Sequence, residues 1–135
     1  SIFRLPLGEA WLLIFNEIEG AALAGCDDEE GILNTLRRRW PRCRLLLTLG
    51  SHGCVYDDGQ RRLRQSIYQA ETVDTTAAGD TFTGYFVACM ATGHPEEECL
   101  DLASRAAAIA VSRPGAAPSI PTMDEVQRCT LRREE

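Results

Sequence analysis

A chain of 135 residues suits one domain with a modest core, and a composition of 44% hydrophobic and 25% charged residues is that of a globular protein. The net charge of −6 argues against nonspecific nucleic-acid binding, and no apolar run approaches the roughly 20 residues that cross a bilayer. All 14 basic residues are arginine, so this chain can hold neither the lysine of a Walker A loop nor the strand lysine of a protein-kinase fold.

Residues 11–15, WLLIF, form a continuous apolar run ending at Asn16 and predict a buried strand. NEIEGAALAG predicts a short helix that stops near Gly25. CDDEEGILNTLRRRWP predicts a second helix, opened by acids and closed by Arg37, Arg38 and Arg39, which suits the helix dipole. That Arg triplet reads as a solvated helix end rather than a nucleic-acid patch. Residues 44–49, RLLLTL, predict another buried strand, closed by GSHG. Residues 54–73 predict a hairpin turning at Asp57-Asp58-Gly59 and a further strand ending at Val73.

A helix is expected over about 79–92, with Phe82, Phe86 and Met90 at helical spacing toward a core. Pro95 suits the first position of the next helix, which runs to about Val111 and is rich enough in alanine to pack closely. SRPGAAPSIP is a loop, and MDEVQRCTLRREE predicts a polar terminal helix. Strands and helices alternate, which implies an α/β fold: a Rossmann-like, mostly parallel sheet flanked by helices. The six cysteines form no C-x-x-C and sit in apolar segments, so reduced thiols and a cytoplasmic setting are expected.

The stretch with the most chemistry is DTTAAGDTF, residues 74–82. The first amides of a helix have no intrahelical acceptor and carry partial positive charge. Ala77, Ala78 and Gly79 are nearly devoid of side chain, so an anion, most naturally a phosphate, can approach their N–H groups. Asp80 would repel that anion unless it takes a proton from a hydroxyl attacking the bound phosphoryl group, with the amides holding the developing charge. The plainer reading is an ordinary acid in a first helical turn.

Two weaker signals precede it. Thr48, Gly50 and Gly53 lie in a glycine-bearing turn after a strand and suit either a nucleotide or a plain hairpin; His52 reads as an exposed turn residue. Asn16 and Glu19 form N-x-x-E and suit either hydrated Mg²⁺ or a helix cap with its capping-box acid.

Together, NEIE, TLGSHG, DTTAAGDTFTG and AAAIAVSRPGAAPSIP (residues 106–121) resemble, in order, the motifs of the ribokinase-like carbohydrate kinases, the phosphofructokinase-B family. The resemblance covers almost the whole chain and implies a ribokinase-like fold and ATP-dependent phosphorylation of a sugar's primary hydroxyl. Ribose is the first substrate expected; fructose and 2-keto-3-deoxygluconate are rivals. It implies Asp80 as general base, with Ala77, Ala78 and Gly79 as the anion hole. Thr48, Gly50 and Gly53 would hold ATP, with Ser104 near its base, and Asn16 and Glu19 would act on Mg²⁺ through water. Asp74, Thr76, Ala110, Arg113, Gly115 and Ser119 would supply oxygens to K⁺, largely from the backbone.

The family's N-terminal sugar-binding half, diglycine motif and β lid have no counterpart in these residues. Residues 1–135 are therefore expected to be the C-terminal nucleotide-binding and catalytic portion of a longer kinase, and to self-associate into a homo-oligomer. The expected partners are a small-molecule sugar and ATP, not nucleic acid or membrane. A fragment that binds nucleotide without turnover, and an unrelated α/β domain whose glycines only turn corners, are the other readings.

Overall fold

The computed structural model describes residues 3–7, 10–72, 78–113, 121–129, 131 and 133. The chain divides into two compact units, Ser1–Arg64 and Gln65–Glu135.

The first unit is built on a sheet of order β1-β2-β3-β4-β5: β1 Phe3–Leu7, β2 Ala10–Asn16, β3 Arg44–Thr48, β4 Cys54–Asp57 and β5 Arg62–Gln65, whose last residue belongs to the second unit. β2 and β3 run parallel, Leu12 opposite Arg44 through Asn16 opposite Thr48. The crossover joining them carries α1 Glu17–Ala24 and α2 Glu29–Arg39. The neighbouring pairs are antiparallel: β1 on β2, and β3 on β4. The α/β class holds, but the parallel part is narrower than alternation suggested, because β1 and β2, and likewise β3 and β4, lie too close together in sequence for a crossover connection. β1 was not foreseen. Pro6 falls inside it, opposite Trp11, and a proline is tolerated there because β1 is the edge strand.

Leu12, Ile14, Phe15, Leu45, Leu46 and Leu47 are all buried, as an apolar run with no polar alternation requires. One side of the sheet offers Leu13, Phe15, Leu45 and Leu47 to Ile32, Leu33 and Leu36 of α2. Each such fully buried side chain contributes about 1.5–3 kcal/mol of transfer free energy. α1 lies close to the sheet through Gly20, where a Cβ would sit 3.0 Å from Ile32 and from the ring of Phe15. α1 ends at Gly25, which takes the left-handed conformation (φ 77°) and donates to the Ala21 carbonyl.

Of the Arg37–Arg39 triplet, Arg38 and Arg39 are exposed, as a solvated helix end requires, but Arg37 is not. Arg37 is partly buried and donates to the carbonyls of Trp40, Pro41 and Cys43 and to the carboxylate of Asp57, binding the turn after α2 to the end of β4. A guanidinium has five donors in a planar fork, and the strand ends here supply the acceptors.

The second unit holds α3 Ala78–Ala91, α4 Glu96–Val111 and the short α5 Met123–Gln127. Phe82 and Phe86 are buried and stack at 6.3 Å between centroids, while Met90 is half-buried. α4 buries Cys99, Ala103, Ala106 and Ala110 on one face, and its small residues let α3 approach. Pro95 stands at the N-cap rather than the first helical position, with three acids in the turn that follows. The expected strand to Val73 does not form over residues 66–72; Tyr68 makes only an isolated bridge to Arg133, and Val73 lies outside the described residues. Tyr68 is instead tied to α4, donating to Asp101 and accepting from Arg105 at 3.0 Å. The terminal helix is five residues long rather than extending through the tail.

Candidate active site

In the first unit, Asn16 and Thr48 end adjacent parallel strands and face each other across the ladder. Ligands of open α/β sheets gather at this carboxyl edge. The Thr48 hydroxyl donates to the Phe15 carbonyl at 3.4 Å, fixing its side chain between the two strands. The chain then turns through Gly50–His52, closed by a bond from the Leu49 amide to the Gly53 carbonyl at 2.8 Å. Gly50 and Gly53 both have positive φ, 57° and 83°, so each is a glycine for conformational reasons whatever else it does. His52 is exposed.

Asn16 and Glu19 form a complete capping box: Asn16 Oδ1 accepts from the Glu19 amide at 2.8 Å, and Glu19 Oε1 accepts from the Asn16 amide at 2.9 Å. Cap and metal readings are compatible, because an amide oxygen and a carboxylate each have acceptor capacity beyond one backbone bond. The donor set is hard oxygen at the strand edge. Among the described residues no three His, Cys, Asp or Glu side chains converge. Such a pair suits a Mg²⁺ that keeps most of its water and phosphate ligands rather than one caged by protein.

In the second unit, Ala78, Gly79 and Asp80 open α3. Asp80 is exposed, while Thr81 and Phe82 directly after it are buried. A Cβ on Gly79 would meet nothing within 4 Å, so there is open space beside its Cα. Thr81 was missed by the sequence reading. It is 4% exposed and its hydroxyl has no hydrogen-bond partner among the described residues. The available signal was a hydroxyl directly after the acid, on the buried side of the first turn.

Ser104 lies on the buried face of α4. Ala110 is buried near the end of α4, and its carbonyl accepts from the Arg113 amide at 3.2 Å. The Arg113 side chain pairs with Glu125. Asp74, Thr76, Ala77, Gly115 and Ser119 lie outside the described residues.

A family model described as pfkB family carbohydrate kinase matches residues 3–123. The chain belongs to the pfkB family of carbohydrate kinases. A ribokinase of Schizosaccharomyces pombe is 39% identical over 123 residues, covering 84% of this chain and 38% of its own. Fructokinase-1 of Oryza sativa subsp. japonica is 33% identical over 127 residues, covering 87% of this chain and 39% of its own. The structure of Arabidopsis thaliana ribokinase complexed with ribose and ATP superposes with a TM-score of 0.80 at 36% identity, over 87% of this chain and 39% of that one. The pfkB chain thus spans about two fifths of these relatives, and its fold is ribokinase-like.

Proposed function

We propose that this pfkB chain is the nucleotide-binding and catalytic portion of an ATP-dependent kinase that phosphorylates the primary hydroxyl of a small sugar, ribose first. The observation that carries the reading is the exposed carboxylate of Asp80 in the first turn of α3, next to the open space at Gly79. Asp80 accepts the proton as the sugar oxygen bonds to the γ-phosphorus and the bond to the ADP oxygen breaks. The amides of Ala77, Ala78 and Gly79 take the negative charge on the transferring group, where the helix dipole adds to them. Thr48, Gly50 and Gly53 hold the nucleotide, and Ser104 lies near its base. Asn16 and Glu19 orient hydrated Mg²⁺, which screens phosphate charge when bound. Asp74, Thr76, Ala110, Arg113, Gly115 and Ser119 form the K⁺ site. The reading includes a homo-oligomer in the cytoplasm.

Ribose leads because the S. pombe and A. thaliana relatives are ribokinases; the rice relative keeps fructose in contention. The span of two fifths favours a second reading, in which this length of chain binds ATP without turnover. Calorimetric ATP titration paired with ribose and fructose phosphorylation assays, in K⁺ and in Na⁺, separates the two. Turnover on ribose that Asp80→Asn lowers by orders of magnitude, with ATP affinity retained, supports the kinase. ATP binding without turnover supports the second reading. No ATP binding overturns both.

A further inference from the structure

A cavity of about 560 Å³ opens in the first unit at the opposite end of the strands from Asn16 and Thr48. It is lined where β2 begins, at Ala10 and Trp11, and where the chain enters β3, at Pro41, Arg42 and Cys43. Trp11 and Asn16 are five residues apart on an extended strand, so the two ends lie roughly 16 Å apart. Nothing in the kinase chemistry above uses this end.

The lining has two parts. Trp11, Leu13, Leu23 and Trp40 make it apolar, and Trp11 remains 53% exposed, which is costly for so large a ring unless something covers it. Arg4, Arg39 and Arg42 also line it, Arg42 with a partner of its own within the protein and donors to spare, and among the described residues no Asp or Glu does, in a chain whose net charge is −6. Neither Arg4 nor Arg39 pairs with a carboxylate among the described residues; Arg39 donates to the Leu23 carbonyl at 2.5 Å and lies 5.6 Å from the centre of the Trp40 ring. Burial pushes the Cys43 thiol above its ordinary range, so the wall carries no negative charge from sulfur. The volume is that of small-molecule pockets, and such sites join an apolar wall to a few convergent polar groups.

We propose that this cavity binds a small amphipathic carboxylate, its apolar body against Trp11, Leu23 and Trp40 and its carboxylate against the guanidinium groups of Arg39 and Arg42. A guanidinium meets a carboxylate in a planar, two-bonded geometry, and indole faces suit a flexible alkyl or aryl chain.

The two tryptophans of the chain are both in this cavity, so tryptophan emission, excited selectively over tyrosine, reports on it alone. Decanoate titrated into the 135-residue chain is expected to shift the emission saturably. Decyltrimethylammonium and decanol, matched in chain length, should bind at least tenfold more weakly. The exposed pair Arg39→Gln and Arg42→Gln should weaken decanoate at least tenfold, with the far-ultraviolet circular dichroism unchanged. Saturating ATP should leave decanoate binding as it was. The proposal is overturned by no saturable response, by an equal response to the cation or the alcohol, by an unaltered response in the double variant, or by displacement with ATP. It is equally overturned if the emission follows protein concentration and not decanoate, which would mean that a second chain covers the tryptophans. Should the double variant fold poorly, Arg42→Lys provides the second measurement: it keeps the charge, loses the planar fork, and is expected to bind decanoate at intermediate strength.

Discussion

Asn16 and Thr48 are opposite partners in the parallel β2–β3 ladder, so two motifs more than thirty positions apart in sequence meet at one strand edge. Thr48→Val keeps the shape and removes the 3.4 Å bond to the Phe15 carbonyl. It should cost about 1 kcal/mol in urea unfolding. If the hydroxyl also serves the nucleotide, calorimetry should show weaker ATP binding than that stability loss explains, whereas Asn16→Asp keeps the helix cap and should leave stability within about 0.5 kcal/mol.

Gly79 and Gly84 make a matched pair on α3. A Cβ at either would meet nothing within 4 Å, and neither has positive φ, so the fold itself has no need of glycine there. Alanine at either site should leave the melting temperature unchanged or raise stability by up to about 1 kcal/mol. ATP affinity should fall in Gly79→Ala and stay constant in Gly84→Ala. Equal affinities in both variants would remove Gly79 from the anion site.

Asp57 is 4% exposed and receives Arg62 Nε at 2.7 Å and Arg37 Nη2 at 2.7 Å. Burial alone would push its carboxyl up, but hydrogen bonds from Arg62, the Gly59 amide and Arg37 outweigh that and hold it below its ordinary value of 3.8. A depressed folded value means that the contribution is fully present above the unfolded value and lost as pH falls through the folded one. Stability measured by denaturant should therefore drop below about pH 4 in the parent, and less steeply in Asp57→Asn. At pH 7 that variant should be destabilised by about 3 kcal/mol, because two arginines lose a common partner.

The six thiols are unpaired, and their exposure differs. Burial pushes Cys54 and Cys99 up to about 12, which leaves almost no thiolate at neutral pH. Iodoacetamide at pH 8, followed by mass mapping, should modify the half-buried Cys26 and Cys129 first. Cys54 and Cys99 should react only when denaturant unfolds the chain. Early modification of Cys99 would mean that α4 opens locally.

Much was legible in the chain because it is local. Runs such as WLLIF and the LLL of RLLLTL declare strands buried on both faces, since consecutive apolar residues leave no polar face. NEIE declared a cap, and the capping box formed because its donors and acceptors lie within four residues of one another. Small residues before an acid at a helix start declared a candidate anion site for the same reason. The order of four motifs carried the family.

What sequence alone could not decide depends on partners distant along the chain. Arg37 read as one solvated cation of three, and only the return of β4 beside β3 brings Asp57 to it. β1 alternates Phe3, Leu5 and Leu7 with Arg4 and Pro6, but a proline inside so short a run argues against a strand, and only the open edge of β2 makes it one. The cavity between Trp11 and Trp40 exists only once β2 and the turn after α2 stand side by side. Periodicity and capping act through neighbours a few bonds away, so composition and order determine them. Ladders, buried ion pairs and cavities are set by which surfaces exclude water together, and that is settled only when the whole chain has folded.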